Sequence, residues 1–568
     1  MLMRSLTAGQ MFMHLMRGLL CASLLVSTLS FAQAKPDTLL IGRIYPTALS
    51  AEPVSALAFD AEGRVLAQGR SADLRKLLES RKRGVQEIVL AGTVIPGLID
   101  AHGHLLGLGF SLLQADLVDT RDRAQIYERL LAKAKDLAPG DWLLGRGWDQ
   151  NDWPEQAFPT AADLDRVIAD RPVWLERIDG HAGWANSAAL RAAGIDEHSK
   201  DPEGGRILRG ADGKPSGVLI DAAMGLVETR VPKPDRAVRR RALRLALDSA
   251  VAAGLTGVHD AGVSSENLAL YRDLADDDAL PLRIYAMADG DAAALAQLCR
   301  DGPYQHPGGR LSVRAVKLYA DGALGSRGAA LLADYDDDAG NRGLLIQTPA
   351  QLNKIIARAA ACGIQPAVHA IGDRANRAVL DAFAALSAEQ RARLRPRIEH
   401  AQVVAPADIA RFAQLGVIAS MQPTHATSDM PWAQARIGAQ RLRGAYAWRR
   451  FMDQGVRIAL GSDFPVERVQ PVLGIYAAVT RQDAKGAPKG GWLPDQRLTL
   501  NETLDGFTRG AAYAGFAEGT IGTLEVGKRA DFVELSIDPQ RLRGRGLLTI
   551  EVNSTWLDGR KVWSRKRR

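Results

Sequence analysis

The stretch Val94–Gly109, "VIPGLIDAHGHLLGLG", carries an apolar run into two histidines one residue apart. Residues i and i+2 of a strand share a side, so His102 and His104 direct both imidazoles toward one point. Same-side imidazoles at the end of a buried strand suggest a metal ligand set. The test is whether ligand-type residues end other strands.

They do. Seven further segments read as strands: "LTGVHDAG", "LRIYAMA", "VRAVKLYADG", "IQPAVHAIGD", "RPRIEHAQ", "VIASMQPTH" and "RIALGSDFPV". Helical stretches such as "TPAQLNKIIARAAACG" and "PADIARFAQLG", each closed by glycine, separate several of them. Eight such units predict an α/β fold, a TIM (β/α)8 barrel. The carboxyl ends of barrel strands meet at one mouth. His102 and His104 end the first strand, Lys317 the fourth, His369 the fifth, His400 the sixth and Asp463 the eighth. Four imidazoles and a carboxylate suit zinc or a similar divalent ion. Singly, each has a plainer role: a strand-end histidine is often merely polar, Asp463 caps a turn, and Lys317 pairs with Asp321. Together, in this order, they favour a metal site.

The remainder of the chain is organised around that barrel. At 568 residues it exceeds one small core. Short-strand segments near both ends, "TLLIGRIYPTALSAEPVSALAFDAEGRVLAQG" and "GTIGTLEVGKRADFVELSI", are expected to pair into one composite β-sandwich. The expected division is 35–92 for the N-terminal part of the sandwich and 93–495 for the barrel. Residues 496–568 then hold the last barrel helix and the C-terminal part of the sandwich. Between the first and second strands lies an insertion at about 105–253, too long for a βα loop and expected to cap the active-site face. Residues 1–34 read as a signal peptide: Arg4 and Arg17, the apolar "GLLCASLLVSTLSF", then "AQA" before Lys35. Export to a bacterial periplasm follows, with no stable membrane span once the leader is removed. Beyond the leader, Cys299 and Cys362 remain; one disulfide is open to them, but two free buried thiols are the expected reading. The net charge of +7 comes with no basic patch interleaved with aromatics, so nucleic acid is not an expected partner. A small-molecule substrate is, and a homo-oligomer is possible.

The sequence resembles the amidohydrolase superfamily, in the branch that includes the N-substituted formamide deformylases (amidohydrolase family 3). The resemblance is carried by "PGLIDAHGH", "DGHAGWANSAAL", "VKLYADGALGSRGA", "HAIGDRAN", "GSDFPVE" and "GKRADFVEL". It implies a distorted barrel with a composite β-sandwich. It makes His102, His104 and Asp463 ligands of one metal and His369 and His400 ligands of a second. Lys317 matches the bridging position, where a carbamate on the amine supplies two anionic oxygens; without it, one metal is expected. A divalent ion lowers the pKa of bound water to about 7. The hydroxide then attacks an amide-like carbonyl, with Asp463 taking the water's proton and passing it to the departing nitrogen. His181, Asp321, Arg327, His425 and Trp148 are expected to hold substrate, with Trp153 beside Trp148. For Asp321 and Arg327 the other reading is bracing Lys317. His259 is passed over as a ligand, and His14, His198 and His306 lack context. The expected activity is metal-dependent hydrolysis of a nonpeptide C–N bond. The alternatives are an ester, lactone or phosphoester hydrolase, or a binding protein that lost catalysis.

Overall fold

A computed structural model describes residues 36–177, 182–202 and 205–566. The leader assigned to residues 1–34, and His181, lie outside the described residues. Eight parallel strands form the barrel: β1 (Leu98–Gly103), β2 (Leu255–Val263), β3 (Arg283–Asp289), β4 (Leu311–Tyr319), β5 (Gln365–Ala370), β6 (Arg397–His400), β7 (Ile418–Met421) and β8 (Ile458–Leu460). All eight segments read as strands in the sequence are strands. Their residues are buried almost throughout, as a parallel sheet covered on both faces requires. Neighbours pair in order from β1 to β8. Closure between β8 and β1 is made past the end of β8, where Asp463 donates its N–H to the His102 carbonyl (2.7 Å) and His104 to that of Phe464 (2.8 Å). The seam of the barrel is therefore also the place where the histidine pair meets the aspartate.

The two chain ends share one seven-stranded sheet. Its order is Arg560–Ser564, Val552–Leu557, Phe532–Leu535, Val85–Pro96, Asp37–Ile44, Val54–Phe59 and Val65–Gly69. Phe532–Leu535 runs antiparallel to Thr93–Pro96 and joins the ends directly. Phe59 and Phe532 sit three strand spacings apart, about 14 Å in a flat sheet, yet their rings lie 6.5 Å apart. The sheet therefore folds over a shared core that includes Leu40, Leu57, Val94 and Trp556.

The insertion leaves β1 as helix α1 (Leu105–Leu113) and returns to β2 through helix α2 (Arg236–Ala252). The two helices cross so closely that a Cβ at Gly109 would stand 2.1 Å from the Ala242 carbonyl oxygen, a contact only glycine permits. Between them lies a six-stranded sheet of its own. Asp119 of the insertion meets Arg468, five residues beyond Asp463, at 3.5 Å. The insertion thus reaches the face where the site residues gather. No helix among the described residues is long and apolar enough to cross a membrane.

One expectation is overturned here. Cys299 and Cys362 form a disulfide with a Cα separation of 5.0 Å. Cys299 lies in helix α3 (Ala292–Asp301), after β3, and Cys362 follows helix α4 (Pro349–Ala361), after β4. Consecutive barrel units put their helices side by side, which brings the two sulfurs together. With a sequence separation of 63, the cross-link removes up to about 4 kcal/mol of unfolded-state entropy. Reductant is expected to lower the melting temperature by about 4 °C. Identical scans with and without reductant would deny the bridge a stabilising role.

Candidate active site

The cluster begins with Asp100, fully buried two residues before His102. Its carboxylate accepts the His102 N–H (3.0 Å), the Ser462 N–H (3.1 Å) and the Ser462 hydroxyl (2.7 Å). That clamp ties β1 to the loop carrying Asp463. A Cβ at Gly461 would lie 2.5 Å from both the Asp100 Oδ1 and the His102 nitrogen, so glycine is required there. Two site residues, His400 (φ 72°) and Asp463 (φ 63°), have left-handed backbones. Strain of this kind costs on the order of 1–3 kcal/mol and collects at functional sites.

Three of the imidazoles are fixed from behind. His102 Nδ1 lies 2.6 Å from Glu399 Oε2, His104 Nδ1 lies 2.9 Å from the Ala261 carbonyl, and His400 Nδ1 lies 2.8 Å from Gln422 Oε1. Since all three partners accept, each Nδ1 carries the proton and each Nε2 keeps its lone pair for the cluster. His104 Nε2 stands 3.0 Å and His102 Nε2 3.6 Å from Asp463 Oδ1, and His425 Nε2 stands 3.6 Å from Asp463 Oδ2. The His369 and His102 rings flank that of His400 at 4.6 and 4.9 Å. Burial, then the neighbouring Lys317, pulls His102 down to about 4 and His369 down to about 3, so both rings are neutral. Burial pushes the Asp463 carboxyl up, but the surrounding imidazoles, His104 first, outweigh it and hold it well below the usual carboxylate range.

Lys317 is buried with these groups. Its Nζ is 3.3 Å from His102 Nε2 and 4.9 Å from the centre of the Tyr319 ring. Among the described residues no carboxylate lies within ion-pair distance of it, and burial holds its pKa below the usual lysine value.

A divalent cation fits this arrangement. His369 Nε2, His425 Nε2 and Asp463 Oδ1 are buried without a hydrogen-bond partner, a costly state for lone pairs unless something binds them. Two triads, His102–His104–Asp463 and His400–His425–Asp463, each hold their ligand atoms within 4.8 Å of one another. Tetrahedral ligands with bonds of about 2.0–2.1 Å stand roughly 3.3 Å apart, close to the separations found.

The other expected substrate contacts turn out differently. Asp321 does not pair with Lys317: it accepts the backbone N–H groups of Ala330, Ile371 and Gly372 at 2.8–2.9 Å, and its Oδ1 lies 3.5 Å from His369 Nε2. Burial nevertheless raises its pKa to about 7. It locks the loop after β4 onto the loop after β5, beneath His369. Arg327 forms a two-pronged pair with Asp337 at 3.0 and 2.9 Å, within the same surface loop. Trp148 is fully buried and packs with Trp153 and Trp184 in the insertion's own core. Its indole N–H donates to the Leu175 carbonyl. His425 is drawn into the cluster itself, its ring stacked 5.8 Å from that of His400.

A charged chain supporting His102 was not among the expected residues. Arg397 holds Glu399 through Nε (2.5 Å) and Nη2 (3.0 Å), and it donates to the Ala101 carbonyl, Ser420 and His259 Nδ1. All of it is inside the barrel. The signal was visible in "RIEH", where a short buried strand carries two charges at i and i+2, hence on one side. Glu399→Gln is expected to weaken metal binding by about 10–100-fold, the usual cost of losing a carboxylate behind a histidine ligand. Competition with a chelator measures it, and an unchanged affinity would leave Glu399 a packing role only.

A parallel barrel with histidines and an aspartate gathered at the carboxyl ends of its strands is the architecture of a metal-dependent hydrolase. The amidohydrolase family model matches residues 91–563, and the chain belongs to that family. It is 35% identical over 490 residues to the Bacillus subtilis protein YtcJ, covering 84% of this chain and 91% of that one. It is 30% identical over 491 residues to the N-substituted formamide deformylase of Arthrobacter pascens, covering 82% and 88%. Among solved structures, an uncharacterized metal-dependent hydrolase from Pyrococcus furiosus aligns with a TM-score of 0.74 at 28% identity, covering 89% of this chain and all of that one.

Proposed function

We propose that this hydrolase cleaves a nonpeptide C–N bond, in a formamide, another N-acyl amine or a cyclic amide. The observation that carries the reading is the place of Asp463, an ionised carboxylate with one unpartnered buried oxygen between the two histidine groups. An amine is a poor leaving group until protonated, and a carboxylate held there serves both halves of the reaction. It accepts a proton as water attacks the carbonyl carbon, then returns that proton to the nitrogen as the C–N bond breaks. A bound divalent ion, zinc in this reading, polarises the carbonyl oxygen and acidifies the attacking water. His102, His104, His369, His400, His425 and Asp463 would hold one or two such ions, and a carbamate on Lys317 would supply further anionic oxygens to them. The insertion shapes the entrance. The name of the Arthrobacter relative, an N-substituted formamide deformylase, supports the substrate class.

The test is a matched panel of N-formyl and N-acyl amines against esters and lactones of the same acyl groups, with zinc-loaded and metal-stripped enzyme. Amides should be turned over with at least tenfold higher kcat/KM. Preference for esters or lactones would assign the bond to the other chemistry.

Export is part of the same reading. The Cys299–Cys362 disulfide belongs to oxidising compartments such as the periplasm. The exported chain should begin near Lys35, and a mature mass retaining residues 1–34 would overturn cleavage.

A further inference from the structure

A second cavity lies at the opposite end of the barrel, where the strand beginnings meet the composite sheet and the segment after Ala511. Its volume is about 360 Å³, and no Asp or Glu side chain lines it. Arg64, Arg283 and Arg529 border it, Ser312 adds a hydroxyl, and Phe516 forms an apolar wall. Arg283 is held by Asp531 and Asp558, and Arg529 by Asp558. Arg64 is exposed, and among the described residues its guanidinium hydrogen-bonds the Gly527 carbonyl alone, at 3.3 Å.

The ceiling is His259. Its Nδ1 is 2.9 Å from Arg397 Nη1. A guanidinium only donates, so Nδ1 is the acceptor and Nε2 must carry the ring proton. That N–H faces Gly515: a Cβ there would lie 2.8 Å from Nε2. Gly515 has an ordinary negative φ of −99°, so its backbone does not call for glycine. The missing side chain keeps a buried donor open to the cavity. A chamber with fixed N–H donors, a basic rim, an apolar wall and no carboxylate selects an anion.

We infer that this cavity is a binding site, separate from the metal cluster, for a small organic carboxylate with an apolar body of about one ring. The carboxylate meets the His259 N–H and the arginine rim, and the body lies along Phe516.

Calorimetric titration of the metal-loaded enzyme with benzoate, and with benzamide as the uncharged match, tests the site. Saturable one-to-one binding of benzoate is expected, at least tenfold stronger than that of benzamide. Arg64→Glu should weaken benzoate at least tenfold by reversing the rim charge. Gly515→Ala should do so by covering Nε2. Arg64 is exposed and away from the metal cluster, so hydrolytic activity and metal content should hold in Arg64→Glu. Absence of saturable binding, equal binding of benzamide, or full affinity in both variants would each overturn the assignment. In the last case benzoate sits elsewhere, as it would if it merely ligated the metal.

Discussion

Asp463→Asn should abolish most amide hydrolysis, lowering kcat by roughly 10³-fold or more, while much of the metal stays bound. The size follows from general acid–base catalysis, worth about 10²–10⁴-fold, at a carboxylate that serves both attack and departure. Asparagine keeps an oxygen beside His104, which stands 3.0 Å away in the native site, so coordination is not simply erased. The sharper test lies in the leaving group. An amine must be protonated to leave, whereas an activated aryl ester departs as a stable anion. The variant should therefore retain at least tenfold more of its native rate on the aryl ester than on the matched amide. Equal losses on both, with metal content confirmed by elemental analysis, would remove Asp463 from leaving-group protonation. Near-native amide turnover would remove it from the chemistry altogether.

The barrel was legible because each of its strands is a short, mostly apolar run, and because the carboxyl ends of those strands carry ligand-type side chains. That rule finds His102, His104, Lys317, His369, His400 and Asp463, which the fold brings to one mouth from positions up to 361 residues apart along the chain. The rule says nothing about what lies behind a ligand. Arg397 and Glu399 sit inside the barrel, where an apolar run ought to hold no charge, and they survive there by satisfying each other and His102.

Residues in the loops were less readable for a related reason. Asp321 resembles a ligand-binding carboxylate in its motif, yet its oxygens are taken by amides up to 51 residues away. Only tertiary structure sets that choice. Trp148 was equally open, since an aromatic in an insertion packs a core or faces a substrate with the same local pattern. The disulfide is different. Once the barrel order is assigned, the helices after the third and fourth strands are neighbours, so Cys299 and Cys362 were within reach of topological reasoning that spacing alone does not supply.

Lys317→Met should separate function from stability in the opposite way to an ordinary core substitution. Lys317 is 1% exposed, and its nearest polar partner is His102 Nε2 at 3.3 Å. That nitrogen offers one lone pair to an amine with up to three N–H donors, and no carboxylate closes the pair. Burying such a group without full compensation is destabilising. Methionine has nearly the same length and no polar atom, so it fills the space without the penalty. The metal-free variant is therefore expected to melt at the same temperature as the native chain or higher. Its hydrolytic activity should fall on the order of 10²–10³-fold, the loss seen when a group that stabilises developing charge is removed. A core residue kept for packing would behave in reverse, losing stability first and activity only through it. If Lys317→Met unfolds easily and keeps its turnover, the amine is a packing element and the bridging role falls. If it is stable and inactive, adding short carboxylic acids to Lys317→Ala decides between the two remaining roles. Recovery of activity means the native side chain supplies anionic oxygens to the cluster, because acetate or propionate can enter the space that alanine vacates and offer the same two oxygens. Failure of any acid to restore turnover weakens the carbamate bridge and favours an amine acting as a hydrogen-bond partner to His102.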